Sequence, residues 1–359
     1  MSVLFLNSHR GKSGVLNGEK LPEAYVLACK FFDCGVIDRS GTLDLGFDYK
    51  VVDPIPQVGA NEGLSFAQVC DAVANDIVAR ARAEERKIRV LWSGGIDSTV
   101  ALIALLKALP KEEYHRLQPL LNMISINEYP LFFRQHILGK LPFRQVPAPI
   151  TQHFGDRQLI ITGEHGDQLF GSDKLLPLIA NGLAYEPWED ILPLHLFEKF
   201  GRRGKVKKLM DYLSPQIAAS PVPIRSTFEL FWWLNYSIKW QQVTLRLPVF
   251  TFREDVKTIY DRTHHFFRDE RFQRWSILNH PNRECDGLAT YKMAAKEYIH
   301  AFTGDVEYLA TKTKEPSLKN VILDRTSQGN TRYRITMGED FTPSIETFHK
   351  QFKNQKIVG

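Results

Sequence analysis

The loop Ser93–Thr99, with the sequence SGGIDST, has the composition of a phosphate-binding site. Its two glycines allow the backbone to approach a phosphate closely and to adopt angles that other residues avoid. The hydroxyl groups of Ser93, Ser98 and Thr99 add hydrogen-bond donors. A helix that begins near Ser98 directs its free N–H groups and the positive end of its dipole at the anion. Together these features predict that the loop binds phosphate groups.

Asp97 adds a metal ion to this prediction. Because a carboxylate repels a bare phosphate, Asp97 suits the loop only if a divalent cation lies between the two, and Mg²⁺ prefers oxygen ligands. A glycine turn that joins a strand to a helix is the alternative, but five defined positions in the order strand, turn and helix favour phosphate binding. The chain lacks the GxxxxGK[ST] pattern of the P-loop nucleotidases, which excludes that class.

Predicted strands and helices alternate around this loop. In chain order we predict a helix after the N-cap Ser65, a strand at 87–92, a helix at 99–109, a strand at 120–127, a helix at 131–141 and a strand at Leu159–Thr162. Such alternation is typical of an α/β fold in which a parallel sheet carries helices on both faces.

The pattern changes on either side of this core. The N-terminal residues contain turn formers and short apolar runs, and 24–32 and 35–37 are predicted as strands. After residue 180 strand signals become rare, and the chain is predicted to be mostly helical. We predict a short β-containing segment (1–65), a central unit (66–320, with an α/β part 66–180 and a mainly helical part 181–320), and a polar tail (321–359) with one alternating run, TRYRIT.

Composition excludes several classes of protein. With 43% hydrophobic and 24% charged residues, the chain is globular rather than disordered or fibrous. No apolar run approaches the roughly 18 residues of a membrane span, and no secretion signal or CxxC pair is present, so a cytoplasmic protein without membrane partners is expected. The net charge of +5 allows a phosphate-bearing ligand but is low for a dedicated nucleic-acid binder. The basic cluster 202–208 is interpreted as a solvated helix start, with a phosphate-contacting surface as the alternative.

Two motifs carry a resemblance to a known family. SGGIDS resembles the signature of the ATP pyrophosphatases, or PP-loop enzymes, and the segment Ile161–Gly171 (ITGEHGDQLFG) is similar to the asparagine synthetase motif LSGEGSDELFGGY. The resemblance implies an adenine nucleotide alpha-hydrolase-like fold with ATP as substrate and Mg²⁺ as cofactor. It also implies an AMP-forming ligase, which adenylates a small carboxylate with release of pyrophosphate and then transfers ammonia or another amine.

The second motif adds acidic residues to the predicted site. Asp97 and Asp167 both follow predicted strands, and ligands of open parallel sheets bind at the carboxyl ends of the strands. We therefore expect both carboxylates to hold one Mg²⁺. Glu164 would face the same crevice and serve as an acid or base, or orient the amine.

The resemblance assigns the remaining site residues. It implies that the pyrophosphate contacts Ser93, Gly94, Gly95 and Ser98, and that the adenosine lies against Leu91, Ser125, Thr162 and Gly163. Arg246–Phe250, Lys292–Ile299 and the segment 308–317 resemble later family segments more loosely. On that alignment Lys314 assists catalysis by neutralising charge at the α-phosphorus. Lys312 could take its place, or both could be solvated loop lysines.

The chain also departs from the family. His165-Gly166 replaces a usual Gly-Ser pair, Gln168 replaces an acidic residue, and Thr251 replaces an aspartate. Family members with a glutaminase domain expose a cysteine at position 2, where this chain has Ser2, and residues 1–65 are too few for that domain. The expected amine source is therefore free ammonia, a separate glutaminase or an amine-bearing substrate.

Three functions stay open at this point. The first is an amide-forming ligase, with aspartate as the acid that the resemblance implies. The second is a PP-loop enzyme that modifies a nucleic acid or a peptide, and the third is a non-catalytic ATP-binding relative. The histidines His264, His265 and His300 lack acidic or cysteine companions at metal spacing, so they are interpreted as ordinary packing or surface residues.

Overall fold

The computed structural model describes residues 2–59, 63–147, 150–251, 255–279, 285, 287–314 and 333–347. Its strands are β1 Val3–Leu6, β2 Val15–Leu16, β3 Glu19–Lys20, β4 Lys87–Leu91, β5 Leu117–Leu121, β6 Arg144–Gln145, β7 Gln158–Thr162, β8 Thr263–His265, β9 Tyr333–Gly338 and β10 Pro343–Thr347. Its α-helices are α1 Ser8–Ser13, α2 Glu23–Phe32, α3 Phe66–Ala83, α4 Ile96–Ala108, α5 Met123–Glu128, α6 Pro130–Phe132, α7 Gly166–Phe170, α8 Leu175–Ala180, α9 Trp188–Phe200, α10 Arg203–Ala218, α11 Thr227–Ile238, α12 Trp240–Val249, α13 Val256–Arg262, α14 Glu270–Leu278, α15 Met293–Thr303 and α16 Val306–Thr311. Short 3₁₀ turns occupy Lys111–Arg116, Ile150–His153 and Phe266–Arg268, and a π turn occupies Phe133–Ile137.

A five-stranded parallel sheet with the order β6-β5-β4-β7-β8 forms the centre of the fold, which confirms the predicted α/β class. Successive side chains of β7 enter different cores, because a strand alternates its faces. Leu159 and Ile161 join the larger core cluster with α3 and α4, whereas Ile160 joins a second cluster with Leu247 of α12 and Ile259 of α13. Helices therefore cover both faces, as expected for a parallel sheet.

Two helices next to the sheet form where their sequence patterns predict them. Ser65 caps α3 with a full capping box, in which its side chain and that of Gln68 each accept a backbone N–H. The apolar positions of α3 at helical spacing are buried against α4. In α4 almost every residue is buried, since the helix lies between the sheet and other helices.

Two predicted strands are wrong, and the bounds of a third are shifted. Residues 24–32 form the helix α2, whose buried side chains Tyr25, Cys29 and Phe32 recur at helical spacing. Residues 35–37 lie in no strand or helix. The strand predicted at 120–127 ends at Leu121, because Asn122 caps the helix α5 through a reciprocal pair of hydrogen bonds with Ser125.

The described residues of 181–320 are mainly helical, as predicted, with β8 as a short exception that completes the parallel sheet. The alternating run at 331–336 overlaps β9, which pairs in antiparallel fashion with both β1 and β10. This small sheet joins the N-terminal segment to the described part of the tail. In the described residues, no helix has the length and apolar character needed to cross a membrane.

Candidate functional site

The predicted phosphate loop lies between the end of β4 and the start of α4. Gly95 is the N-cap of α4 and no side chain caps this helix, so the first N–H groups are not taken up by a capping side chain. Ser93 and Ser98 shape the loop: their hydroxyls lie 3.0 Å apart, and the Ser93 N–H donates to Ser98 Oγ at 3.1 Å. Glycines next to an uncapped helix start are the features of a backbone cradle for an anion.

Gly94 is required at its position. Its φ angle is +80°, in the left-handed region, and a Cβ atom there would lie 2.3 Å from the carbonyl oxygen of Ser125. Any larger residue would push the loop away from α5. The loop after β5, which carries Ser125, thus packs directly on the phosphate loop.

The loop after β7 interlocks with the same helix start. A Cβ atom at Gly163 would lie 2.7 Å from the backbone nitrogen of Ser98, and one at Gly166 would lie 2.3 Å from Cγ of Asp97. Glycines at both positions bring the second motif against the first. The structure therefore brings Gly163 and Asp97 together, as the resemblance implies.

Asp97 and Asp167 meet at one cation, the ammonium group of Lys292. Lys292 Nζ lies 2.6 Å from Oδ2 of Asp97 and 2.7 Å from Oδ1 of Asp167. Lys314 Nζ adds a contact of 2.8 Å to Oδ2 of Asp167. Two carboxylates and two ammonium groups thus form one compact cluster, and the predicted convergence of Asp97, Asp167 and Lys314 is seen in the structure.

Burial and charge act against each other in this cluster. Burial raises the pKa of Asp97 despite the ammonium of Lys292, and the neighbouring Asp167 adds to the rise. Burial also acts to raise the pKa of Asp167, but Lys292 and Lys314 outweigh it and hold that pKa well below its ordinary value. Burial acts to lower the pKa of Lys292, but the two aspartates outweigh it and the pKa rises. Lys292 is therefore charged at neutral pH, and Asp167 is ionised.

The donor set of this cluster fits Mg²⁺. Both aspartates supply hard carboxylate oxygens, and their contact with one Nζ atom shows that both can reach a single cation. Among the described residues no group of three or more His, Cys, Asp or Glu side chains could hold a metal. A magnesium ion here would therefore complete its shell with phosphate oxygens and water, as is usual for Mg²⁺ at phosphate sites.

Lys292 is the residue that the sequence analysis did not assign to the site. Its side chain is 1% exposed, and its backbone adopts the left-handed conformation at φ 60°, an uncommon state for lysine. The chain positions it at the N-cap of α15. The only sequence signal was its place at the start of the loosely matching segment Lys292–Ile299, which could not show that the side chain turns inward.

The structure separates the two candidate catalytic lysines. Lys314 contacts Asp167, whereas Lys312 Nζ lies 3.2 Å from Oε1 of Glu128, and both members of this second pair are largely buried. Glu128 packs beside the phosphate loop, since a Cβ atom at Gly94 would lie 2.8 Å from its Cβ. The two lysines thus have different partners: Lys314 joins the aspartate cluster, and Lys312 joins Glu128 beside the loop.

Glu164 forms a buried ion pair with Arg246. Burial raises the pKa of Glu164 although Arg246 opposes the rise, and its Oε1 atom is buried without a hydrogen-bond partner. The Arg246 side chain is 37% exposed, so the pair extends from the interior to the surface. Glu164 is thus held at the site by a residue of the loosely matching segment Arg246–Phe250.

A histidine holds the strand end that precedes Glu164. Nδ1 of His265 lies 2.7 Å from Oγ1 of Thr162, and Nε2 lies 2.9 Å from the carbonyl oxygen of Thr244. Since that carbonyl only accepts, Nε2 carries the proton and Thr162 donates to Nδ1. The Glu164 N–H in turn donates to Thr162 Oγ1 at 3.1 Å. Burial lowers the pKa of His265 to about 3, so the ring is neutral at pH 7.

The departures from the family are built into the structure. His165 adopts φ 74° where the family has glycine, and its Nε2 lies 2.9 Å from Oγ1 of Thr244. Gln168 is buried and donates to Asn235 at 3.2 Å. Asn235 in turn donates to the Asp167 carbonyl at 3.0 Å. Gln168 therefore helps to fix the helix α7 that carries Asp167.

The residues implied for adenosine binding lie at or after strand ends. They differ in which of their polar groups could still contact a ligand. Leu91 ends β4, and Ser125 lies in α5 after β5; both are buried. The hydroxyls of Ser125 and Thr162 make structural hydrogen bonds, so their backbone groups are the better candidates for ligand contacts. Thr251 lies just after α12. Residues 252–254, which follow the match at Arg246–Phe250, and residues 315–317, which end the match at 308–317, lie outside the described residues.

The chain matches no protein-family model, and no curated protein is significantly similar to it. The assignment of a function therefore depends on the geometry of the site.

Proposed function

We propose that this protein is an ATP-dependent, AMP-forming amide ligase of the PP-loop type. The observation that carries the proposal is the meeting of Asp97 and Asp167 at one cation beside a glycine-lined helix start that no side chain caps. Such a site provides backbone donors for phosphate oxygens and two carboxylates for a metal ion. The parallel sheet, whose carboxyl edge carries both motifs, is the architecture expected for a nucleotide site of this kind.

The charge of the cluster favours a polyphosphate ligand. Asp97 alone would repel a phosphate, but Lys292 and Lys314 cancel the two negative charges of the aspartates. Lys312 is a third ammonium group near the loop, where it is paired with Glu128. The proposed adenylation needs this charge, since negative charge develops on the pyrophosphate as it leaves.

The proposed reaction has two steps. An oxygen of the substrate carboxylate attacks the α-phosphorus of ATP. The bond between the α-phosphorus and the oxygen that bridges to the β-phosphorus breaks, and pyrophosphate leaves. An amine then attacks the acyl carbon, AMP leaves, and the amine loses a proton. Lys314 would neutralise the negative charge that develops on the phosphates, and Glu164 would orient the amine or accept its proton. Asp97 and Asp167 would hold Mg²⁺, which when bound neutralises the pyrophosphate.

The buried state of the Glu164–Arg246 pair supports a role at the acceptor side of the site. Glu164 is next to the loop that contacts Asp97, and its unpartnered Oε1 atom lacks the hydrogen bond that a buried oxygen normally makes. An amine or ammonium donor would satisfy it. Aspartate stays the first acid to test, because it is the one that the sequence resemblance implies.

Pyrophosphate release tests the proposal. The purified chain is mixed with ATP and Mg²⁺, and release is measured across a panel of amino acids and other small carboxylic acids, with and without ammonium. The expected result is release that depends on one acid and yields AMP and the matching amide. Asp97→Asn removes one carboxylate of the cluster and should abolish release, whereas Asp211→Asn, at a side chain that is 64% exposed, should not change it.

Three outcomes would contradict the ligase. ATP binding without pyrophosphate release with any acid would support a non-catalytic ATP-binding protein. Release that requires a peptide would support a peptide-modifying enzyme. Release that requires an RNA would support an RNA-modifying enzyme, and RNA binding should then depend steeply on salt concentration. Release that survives Asp97→Asn would show that the chemistry occurs elsewhere.

A further inference from the structure

Lys296 is a buried cation to which the proposed reaction gives no role. It follows Lys292 by about one turn of α15, and the whole residue is inaccessible to solvent. Its Nζ atom contacts three backbone carbonyl oxygens, those of Ala289, Leu309 (3.1 Å) and Lys312 (3.5 Å). An ammonium group has three N–H donors, so this set of acceptors matches its capacity.

Burying the ammonium group of Lys296 costs free energy. Moving an ammonium group out of water costs several kcal/mol even after the protein relaxes. Within the part of the chain that the structure describes, the contacts of Lys296 Nζ are with carbonyl oxygens and not with a carboxylate. A methionine has a similar length and carries no such cost. The lysine therefore needs a reason beyond packing.

The carbonyls that Lys296 contacts explain its presence. Leu309 lies in the last turn of α16 and Lys312 is its C-cap, where carbonyl oxygens have no partner within the helix. The ammonium group thus fixes the point at which the chain leaves α16, two residues before Lys314. Its third contact, Ala289, lies three residues before Lys292.

One buried ammonium group therefore joins two separate segments, and each segment delivers a lysine to Asp167. Lys292 and Lys314 reach the two oxygens of that carboxylate at 2.7 and 2.8 Å. A shift of either segment by about 1 Å would break these contacts. We propose that Lys296 is a positioning residue that holds Lys292 and Lys314 at the Asp97–Asp167 carboxylates. Its effect on catalysis rests on the proposed function, but its effect on nucleotide binding does not require turnover.

The test compares Lys296→Met with Lys296→Arg. Methionine keeps the length and removes the charge, whereas arginine keeps the charge and several N–H donors. Lys207→Met, at a side chain that is 78% exposed, is the matched control. Affinity for ATP with Mg²⁺ is measured by calorimetry, and kcat and KM are measured for pyrophosphate release.

We expect Lys296→Met to weaken ATP binding about 10-fold and to lower kcat about 10- to 100-fold at temperatures where it is folded. Lys296→Arg should recover most of both losses, and Lys207→Met should match the wild type. If Lys296→Met does not fold, Lys296→Gln takes its place, because it removes the charge while keeping two N–H donors.

The outcomes separate this inference from the proposed function. If Lys296→Met or Lys296→Gln has a lower Tm but keeps the wild-type ATP affinity and kcat, the inference is overturned, since Lys296 would then be only structural. If the wild type binds ATP but releases no pyrophosphate, the ligase fails, and the calorimetric comparison still decides the role of Lys296. Equal losses in the Met and Arg variants would also count against positioning by a charged donor.

Discussion

Replacing Lys292 by methionine tests the charge balance of the site. The Lys292 ammonium contacts both Asp97 and Asp167, and its side chain is 1% exposed. Removing one partner of a buried ion pair costs about 3–5 kcal/mol. Because Asp167 keeps Lys314 and the two carboxylates are 22% and 32% exposed, we expect the lower limit, about 3 kcal/mol. With about 2.1 cal/mol/K of unfolding entropy per residue over 359 residues, Tm should fall by about 4 °C.

Magnesium provides the second half of this test. In Lys292→Met the two carboxylates lose their shared cation, so added Mg²⁺ should bind them more tightly than in the wild type. At about 100 times its Kd, a ligand stabilises the folded state by about 2.7 kcal/mol, which would restore most of the lost Tm. Thermal melts with and without Mg²⁺ measure both effects, with Lys207→Met as the control. An unchanged Tm, or the same Mg²⁺ shift in variant and wild type, would refute the reasoning.

Three further substitutions test other parts of the site. The His265 pKa of about 3 lies below the unfolded value of about 6.5, so the unfolded chain binds the extra proton. His265 should therefore contribute about 2–3 kcal/mol to the fall in stability from pH 7 to 4.5, beside His165 and His264, whose pKa values are also lowered by burial. In urea unfolding at several pH values, the free energy of unfolding of His265→Asn should depend less steeply on pH than that of the wild type, and parallel curves would contradict this. Gly94→Ala should lower the free energy of unfolding by about 2–4 kcal/mol, because its Cβ would meet Ser125 O at 2.3 Å, and a variant as stable as the wild type would rule out that close approach. At His165, with φ 74°, the glycine variant should be more stable than the alanine variant by about 1 kcal/mol, and equal stabilities would show that the position is unstrained.

The parts of the fold with a strong periodic pattern could be predicted from the sequence. The strand β4, the helix α3 with its capping Ser65, and the strand β7 formed where expected. The helix α2 was predicted as a strand because Tyr25, Val26 and the two phenylalanines at its end favour strands. Its buried residues do recur at helical spacing, so the period outweighed the strand preference of the individual residues. The end of β5 could have been found from Asn122, whose side chain starts a helix.

The two aspartates and Lys314 could be predicted from the sequence, but the other buried lysines of the site could not. Asp97 and Asp167 stand at strand ends in recognisable motifs, so their convergence follows from the topology of a parallel sheet. Lys292 and Lys296 lie on a helix far along the chain, and ordinary lysines are exposed, so nothing local marks them as buried. His265 was interpreted as an ordinary packing residue. Its hydrogen bond to Thr162 depends on the register between β7 and β8, which no local pattern reveals.

The pairing in the small sheet of β1, β9 and β10 affects which strand edges are exposed while the protein is being synthesised on the ribosome. Val3 of β1 pairs with Gly338 of β9, so this edge of β1 has no partner until residues near 338 have been made, whereas its other edge can meet residues 48–50 early. The lysines that contact Asp97 and Asp167 are also made after the strands β4 and β7 that precede these aspartates. During synthesis, the edge of β1 that pairs with β9 is therefore unpaired, and chaperones commonly shield such edges. A nascent chain arrested before β9 emerges should expose this strand to proteases, and one arrested later should not.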